Sequence, residues 1–326
     1  MNPSNKLDKI REILARSQFR KSLFRWIDSD AIPDTSMLVR NKNIDWVRAI
    51  PFIGVHLMCF GAFFTGWSWT AVNTAIILYL TRIFAITAFY HRYFSHRTFE
   101  TSRFVQFLFA LLGNSALQRG PLWWAAHHRH HHRYSDMVED IHSPSRHGFV
   151  WAHIGWFLSY QNFKTQYEYV KDWAKYPELM WLNRYDMVVP IVLAVLLFVT
   201  GNILATYAPS LHTNGSQMLI WGFFISTVAV SHATFAINSF DHMFGSQRYN
   251  TGDTSRNNFF LAILLLGEGW HNNHHHYAIS TRNGFFWWEI DMTYYLIMLM
   301  SLAGIIHGIR PVPQAVLDSN RISNVA

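Results

Sequence analysis

Four long apolar segments constrain this chain more than any other feature: Ala49–Gly66, Ser68–Tyr90, Met187–Ala208 and Met218–Asn238. A helix needs roughly 20 apolar residues to cross a hydrocarbon layer about 30 Å thick, and only a helix or a closed barrel satisfies its own backbone there. The first two segments are separated by Trp67 alone, and the last two by PSLHTNGSQ, a run of turn formers. Each pair therefore reads as a hairpin, and the predicted fold is an all-α integral membrane protein with four transmembrane helices in two hairpins. The composition agrees, since only 14% of residues are charged and 50% are hydrophobic, whereas soluble chains carry about a quarter charged residues.

Neither short loop contains Lys or Arg, so the positive-inside rule puts both hairpin tips outside and the remainder in the cytoplasm. The predicted organisation is a cytoplasmic amino-terminal segment, 1–48, a membrane domain, 49–310, and a tail, 311–326. Within the membrane domain, 91–186 and 239–310 form a cytoplasmic helical cap. Residues 1–26 lack the apolar core and cleavage site of a signal peptide, and Leu7, Ile10, Ile13 and Leu14 fall at the spacing of an interfacial or solvated helix. The shorter stretches Phe104–Leu117 and Met292–Ile306 read as interfacial or cap-packing helices. The net charge of +7 is spread among many Trp and Phe, which suits a bilayer surface or an anionic acyl donor and argues against nucleic acid. Arg82, inside an apolar span, must face protein or water. The single Cys59 excludes an intramolecular disulfide framework and a four-cysteine metal site.

Chemistry is concentrated in three histidine clusters: His91–His96 (HRYFSH), His127–His132 (HHRHHH) and His271–His276 (HNNHHH). His128, His131 and His132 repeat the H-x-x-H-H spacing of His271, His274 and His275, and offsets of three and four share one helix face. His91 and His96 are five apart, so on an ideal helix they diverge. They converge only if the helix end unwinds, or else each approaches a different metal. Two metals account for the set most economically. Neutral imidazole suits zinc, copper, iron and nickel, so the ligands alone do not name the ion. A histidine-rich zinc transporter with an unpatterned loop is the alternative from another class. A carboxylate di-iron site built on Glu139-x-x-His142 and Glu268-x-x-His271 ranks low, because Gly267 and Gly269 flank Glu268 and Ser143-Pro144 follows close on Glu139. Asp136, Asp140, Asp241 and Glu268 lie within a few residues of a ligand and are candidates to orient the imidazoles. His127, His130 and His276 break the spacing and are expected beside the ligands or exposed. His142, His147 and His153 could touch the site, though a polar surface position is the commoner case, and His56, His212, His232 and His307 read as packing or loop residues.

In number, order and placement the three boxes, with PLWWAAHHRHHH, GFVWAHIGW and GEGWHNNHHH, resemble the membrane fatty acid desaturases, specifically the stearoyl-CoA desaturase-like (Δ9) family, over about 50–306. The resemblance implies a ninth ligand, His242, in the stretch Asn238-Ser239-Phe240-Asp241-His242, with Asn238 reaching one iron through water. The implied di-iron set is then His91, His96, His128, His131, His132, His242, His271, His274 and His275. It also implies that Gln118, Trp124 and Thr234 kink the acyl chain beside the metals, and that Tyr79, with Ile83, closes the far end of the tunnel. Animal members carry Arg-Asp before the second box and Asn after the Gln; Ala126, His127 and Arg119 stand here. The implied donor is a fatty acyl thioester, acyl-CoA first, or an acyl lipid.

By the same resemblance, the reaction inserts a cis double bond, Δ9 by expectation, into a saturated C16 or C18 chain. It uses two iron ions, O2 as co-substrate and two external electrons, and gives two waters. The sequence contains no His-Pro-Gly-Gly haem motif, so electrons are expected from a separate ferredoxin, rubredoxin or cytochrome b5-type donor with an NAD(P)H reductase. Related hydroxylases and alkene-forming decarboxylases share the scaffold and are the alternative outcome. The expected location is a bacterial inner membrane, or the endoplasmic reticulum of a eukaryote, with the active site cytoplasmic.

Overall fold

The computed structural model describes residues 24–31 and 42–322. The expected interfacial helix at Leu7–Leu14 lies outside the described residues. Four helices are long and apolar enough to cross a membrane: α1, Trp46–Thr65; α2, Trp69–Ser95; α5, Val188–Tyr207; and α6, Gly215–His242. Between and after them come α3, Arg103–Asn114, α4, Pro121–Tyr134, α7, His271–His276, and α8, Met292–Leu302. The expected helices 104–117 and 292–306 thus form over slightly shorter spans.

Local chemistry sets the boundaries. Ser68 caps α2 by accepting from the Ala71 amide, Ser102 caps α3 through Val105, and Pro121 opens α4 where a missing N–H costs nothing. The spans then sort by exposure. In their most apolar windows 44% of α2 and 56% of α6 is buried, against 6% of α1 and 17% of α5. Phe63 and Phe64 on α1, and Val195, Leu196 and Val199 on α5, stand out from the protein, an apolar surface that lipid accounts for.

Two departures from regular helix matter. From Ala85 to Ser95, the last stretch of α2 is a π-helix, fully buried, and Met218–Ile225 at the start of α6 is another. Outside the spans, the more polar described residues are joined by short helices, turns and a small antiparallel ladder, Glu100–Thr101 with Ile306–His307. Arg82 lies wholly inside the protein, where its guanidinium donates to the Leu78 and Ser115 carbonyls and to the hydroxyls of Ser226 and Thr227. These contacts hold α2 to α6 at membrane depth.

Candidate metal centre

The π-helix brings His91 and His96 together. With i to i+5 hydrogen bonding, residues five apart share a face; the His96 amide donates to the His91 carbonyl at 3.2 Å, and the two rings sit 5.0 Å apart. The outcome is convergence on one point, and the reading that sends each to a different metal does not hold. His91, His96, His128, His132 and His274 form one group, and His131, His242, His271 and His275 a second; within each, one ring nitrogen per residue lies within 4.8 Å of all the others. Along α4 the expected face splits, so that His128 and His132 join the first group while His131 turns to the second.

Behind the rings stand oriented acceptors. Both carboxylate oxygens of Asp140 lie 3.1 Å from His131 Nδ1, and Asp253 Oδ2 is 2.6 Å from His275 Nδ1. Glu268 Oε2 is 2.6 Å from His91 Nδ1, a close ionic contact not aligned as a hydrogen bond. His242 Nδ1 meets the Thr254 hydroxyl at 3.3 Å, and that hydroxyl donates to Asp136 Oδ2 at 2.7 Å, leaving Asp136 3.9 Å from the ring nitrogen. At His131, His275 and His242 an Nδ1 proton directed at its acceptor leaves Nε2 as a lone pair.

The Nε2 nitrogens converge. Nε2 of His274 lies 2.9 Å from that of His91 and 3.0 Å from that of His132; His96 and His128 meet at 2.8 Å, and His242 and His271 at 3.1 Å. Nε2 of His131 and of His275 is buried with no protein partner. Facing lone pairs repel unless a cation or a proton lies between them. Burial, reinforced by neighbouring imidazoles, pushes His96, His128, His132, His271 and His274 well below the ordinary histidine pKa, so these rings are neutral and ready to ligate. Burial pushes Asp140 and Asp253 up, but His131 and His275 respectively outweigh it and hold both carboxyls below their ordinary value. The donor set fits two metal ions of the kind neutral imidazole favours, iron among them.

The fatty acid desaturase family model matches residues 67–302, the span that holds both clusters. The chain belongs to that family. An sn-1 stearoyl-lipid 9-desaturase from Anabaena variabilis is 36% identical over 82% of this chain and 94% of its own length. An acyl-CoA 5-desaturase from Anemone leveillei is 35% identical over 86% and 87%, and a palmitoyl-monogalactosyldiacylglycerol delta-7 desaturase from Arabidopsis thaliana 34% identical over 81% and 68%. The protein is thus a fatty acyl desaturase, an oxidoreductase acting on acyl lipids or acyl-CoA.

A cavity of the desaturase runs along Ile86, Thr87, Gln118, Trp124, Thr234 and Asn238 to His91, His128 and His271. Gln118 donates to the Thr234 hydroxyl at 2.7 Å, and the Trp124 ring stacks on His128 at 5.0 Å. Leu117 and Arg119 both have positive φ, 60° and 71°, a strained turn that carries Gln118 between them. Tyr79, expected at the far end of the tunnel, donates its hydroxyl to the Leu264 carbonyl at 2.8 Å, and neither it nor the core residue Ile83 is among the residues lining this cavity. The π-helix changes the register of α2 at Ala85, so Ile86 and Thr87 take the wall.

Other expectations also shift. Asp241 is wholly buried, but neither carboxylate oxygen has a hydrogen-bond partner, so it orients no imidazole. It sits on the last turn of α6, in the 3₁₀ segment Phe240–His242, where consecutive side chains point in different directions. His142 is buried against His131, rings 4.2 Å apart, and is not a surface residue. His127 is also buried on the cavity wall, with Nδ1 directed at the Trp123 carbonyl. Glu139 is exposed, and Glu268 is spent on His91 and Arg92, which removes the carboxylate di-iron reading.

Sequence reasoning missed Asp253, whose only signal is its polar TGDTS loop, and Arg92, the cation inside the first box that pairs with Glu268 and Asp291. The glycines around Glu268 have a steric cause. Gly267 has φ +120° and a Cβ there would meet Asp291 Oδ1 at 2.4 Å, while one on Gly269 would meet the Ala262 amide at 2.2 Å.

Proposed function

We propose that the nine histidines hold two iron ions and that the enzyme inserts a cis double bond at Δ9 of a saturated C16 or C18 acyl chain, with electrons from a separate carrier protein. The observation that carries this reading is the convergence of nine imidazoles into two groups of ring nitrogens at an apolar cavity. Bound there, iron supplies the dioxygen chemistry that removes hydrogen from two adjacent methylenes. His91, His96, His128, His132 and His274 would hold one ion, and His131, His242, His271 and His275 the other, with Asn238 reaching it through water.

The protein's own part is positioning. Asp140, Asp253 and Thr254 fix the tautomers of His131, His275 and His242, and Glu268 holds the His91 ring in place. The Gln118–Thr234 hydrogen bond and the Trp124 ring bend the acyl chain beside the ligands, and the apolar wall keeps bulk water away from the carbon being oxidised. Arg25, Arg48 and Arg119, 4.8, 3.9 and 5.1 Å from the Phe163 ring, line the same cavity and favour a donor with an anionic head. The loops at Gly66–Ser68 and 208–214 would face outside and the polar cap the cytoplasm, in keeping with the distribution of Lys and Arg.

Expression in a host lacking Δ9 unsaturation, followed by lipid profiling with double-bond location, tests the reading. New palmitoleate or oleate is expected, with two irons per chain that are lost in His131→Ala and His274→Ala. A hydroxy acid, a terminal alkene or zinc-only protein made with ample iron would overturn it. Acyl-CoA, acyl-phosphatidylglycerol and a neutral galactolipid, offered in turn, identify the carrier.

A further inference from the structure

Four residues outside the two histidine groups form an unbroken hydrogen-bonded row. The Ser239 hydroxyl lies 2.9 Å from His153 Nδ1; His153 Nε2 is 3.0 Å from His232 Nδ1; His232 Nε2 is 3.0 Å from His56 Nε2; and His56 Nδ1 is 2.7 Å from the Phe52 carbonyl. Ser239 and His232 belong to α6, His56 to α1, and His153 to the short helix Trp151–Gly155 of the polar cap. Ser239 is wholly buried next to Asn238, and His56 lines the acyl cavity.

The terminal carbonyl fixes how protons are arranged. Phe52 O can only accept, so His56 Nδ1 carries a proton. In the neutral row His56 Nε2 accepts from His232, His232 Nδ1 accepts from His153, and His153 Nδ1 accepts from the Ser239 hydroxyl. Add one proton and the three bonds between side chains survive in the opposite sense, while that from His56 to the Phe52 carbonyl is unchanged. His56, now doubly protonated, donates to His232; His232 donates through Nδ1 to His153; His153 donates through Nδ1 to Ser239; and the hydroxyl turns to the Phe235 carbonyl, 3.1 Å away. Three hops, Ser239 to His153 to His232 to His56, convert one pattern into the other, and a proton taken up at Ser239 reappears as the second N–H of His56.

The surroundings set the resting state. Phe52, Phe149, Phe235 and Phe240 pack against the three imidazoles, and among the described residues none of their hydrogen-bond or ring contacts is to Asp, Glu, Lys or Arg. Burial disfavours a charge on His153, so that ring passes a proton along the row and does not keep it. Ionisable side chains at membrane depth are costly and mark proton paths or binding sites.

We propose that Ser239, His153, His232 and His56 are a proton relay joining the cap boundary beside Asn238 to the wall of the acyl cavity. It rests on the desaturase reading for its purpose. Conversion of –CH2–CH2– with O2, two electrons and two protons to –CH=CH– and two waters needs two protons beyond those from substrate, delivered into an apolar interior.

Histidine 15N spectra of the full-length protein, loaded with diamagnetic zinc and assigned with His56→Phe and His232→Phe, read the row directly. Near neutral pH, Nδ1–H is expected on His56 and Nε2–H on His232 and His153. Acidification should switch His232 and His153 to Nδ1–H in the same step that charges His56. Separate titrations, or a His232 that keeps one tautomer throughout, would overturn the relay. In iron-loaded enzyme, His232→Phe should retain both irons and lose roughly ten-fold or more in turnover; full turnover would equally overturn it. If the wild type makes no alkene, the desaturase reading fails, and the tautomer spectra still decide the row.

Discussion

Asp253 holds His275 Nδ1 at 2.6 Å, and its loss should be felt by the metal before it is felt by the fold. Asp253→Asn keeps the volume and removes the charge that fixes the ring, so metal affinity should fall roughly 10- to 100-fold with the helical content unchanged, as titration of the stripped protein would show. His127 gives a pH prediction. Burial pushes its pKa down from the ordinary 6.5 to about 3. The unfolded chain takes up the proton first as pH falls, so stability is lost between about 6.5 and 3, and His127→Gln should flatten that slope in denaturant titrations. At this scale the sequence was informative where spacing carries the information. Eight of the nine clustered histidines could be read from three boxes, and Asp136, Asp140 and Glu268 from their nearness to them. His242 came only through family likeness, because one histidine at a helix end has no period to betray it. Asp253 was invisible, because its contact depends on how a loop folds back over residues distant in the chain, and Asp241 was misread for the same reason: nearness in sequence does not say where a side chain points.

The element that decides the first metal group is the π-helical end of α2, and hydropathy cannot see it, since Ala85–Ser95 is as apolar before His91 as any α-helix. What spacing did contain was the five-residue offset, awkward for an α-helix and natural for this one. Deleting Ala88 should let the segment relax to α-helix, separate His91 from His96, and leave the His131, His242, His271 and His275 group as the better-occupied one; iron analysis with Mössbauer spectroscopy would register the difference. Substituting Ala88 with Ser, which leaves the length alone, should keep both ions. The apolar spans themselves were legible to within a few residues, because a run of some 20 such residues admits few other structures.

At the scale of the whole molecule, the two inner helices, α2 and α6, carry His91 and His242 of the two histidine groups, and the two outer ones leave most of their apolar side chains exposed. In a variant with Cys59→Ala, a cysteine introduced at exposed Ser210 should react with an impermeant maleimide from outside intact cells, and one at exposed Glu139 only after lysis. The opposite labelling would invert the assigned orientation. The contrast between inner and outer helices reaches further than topology. One face of α1 supplies Pro51, Phe52, Val55 and His56 to the cavity, while Ile50, Ile53, Leu57 and Phe64 are left bare. On the proposed reading the bilayer would be part of the mould in which the substrate is shaped, pressing on the outer side of a wall one helix thick. Activity assayed in bilayers of graded thickness should change its preference among acyl lengths while iron content stays constant. An enzyme so built works to the dimensions of the membrane whose fluidity its product sets.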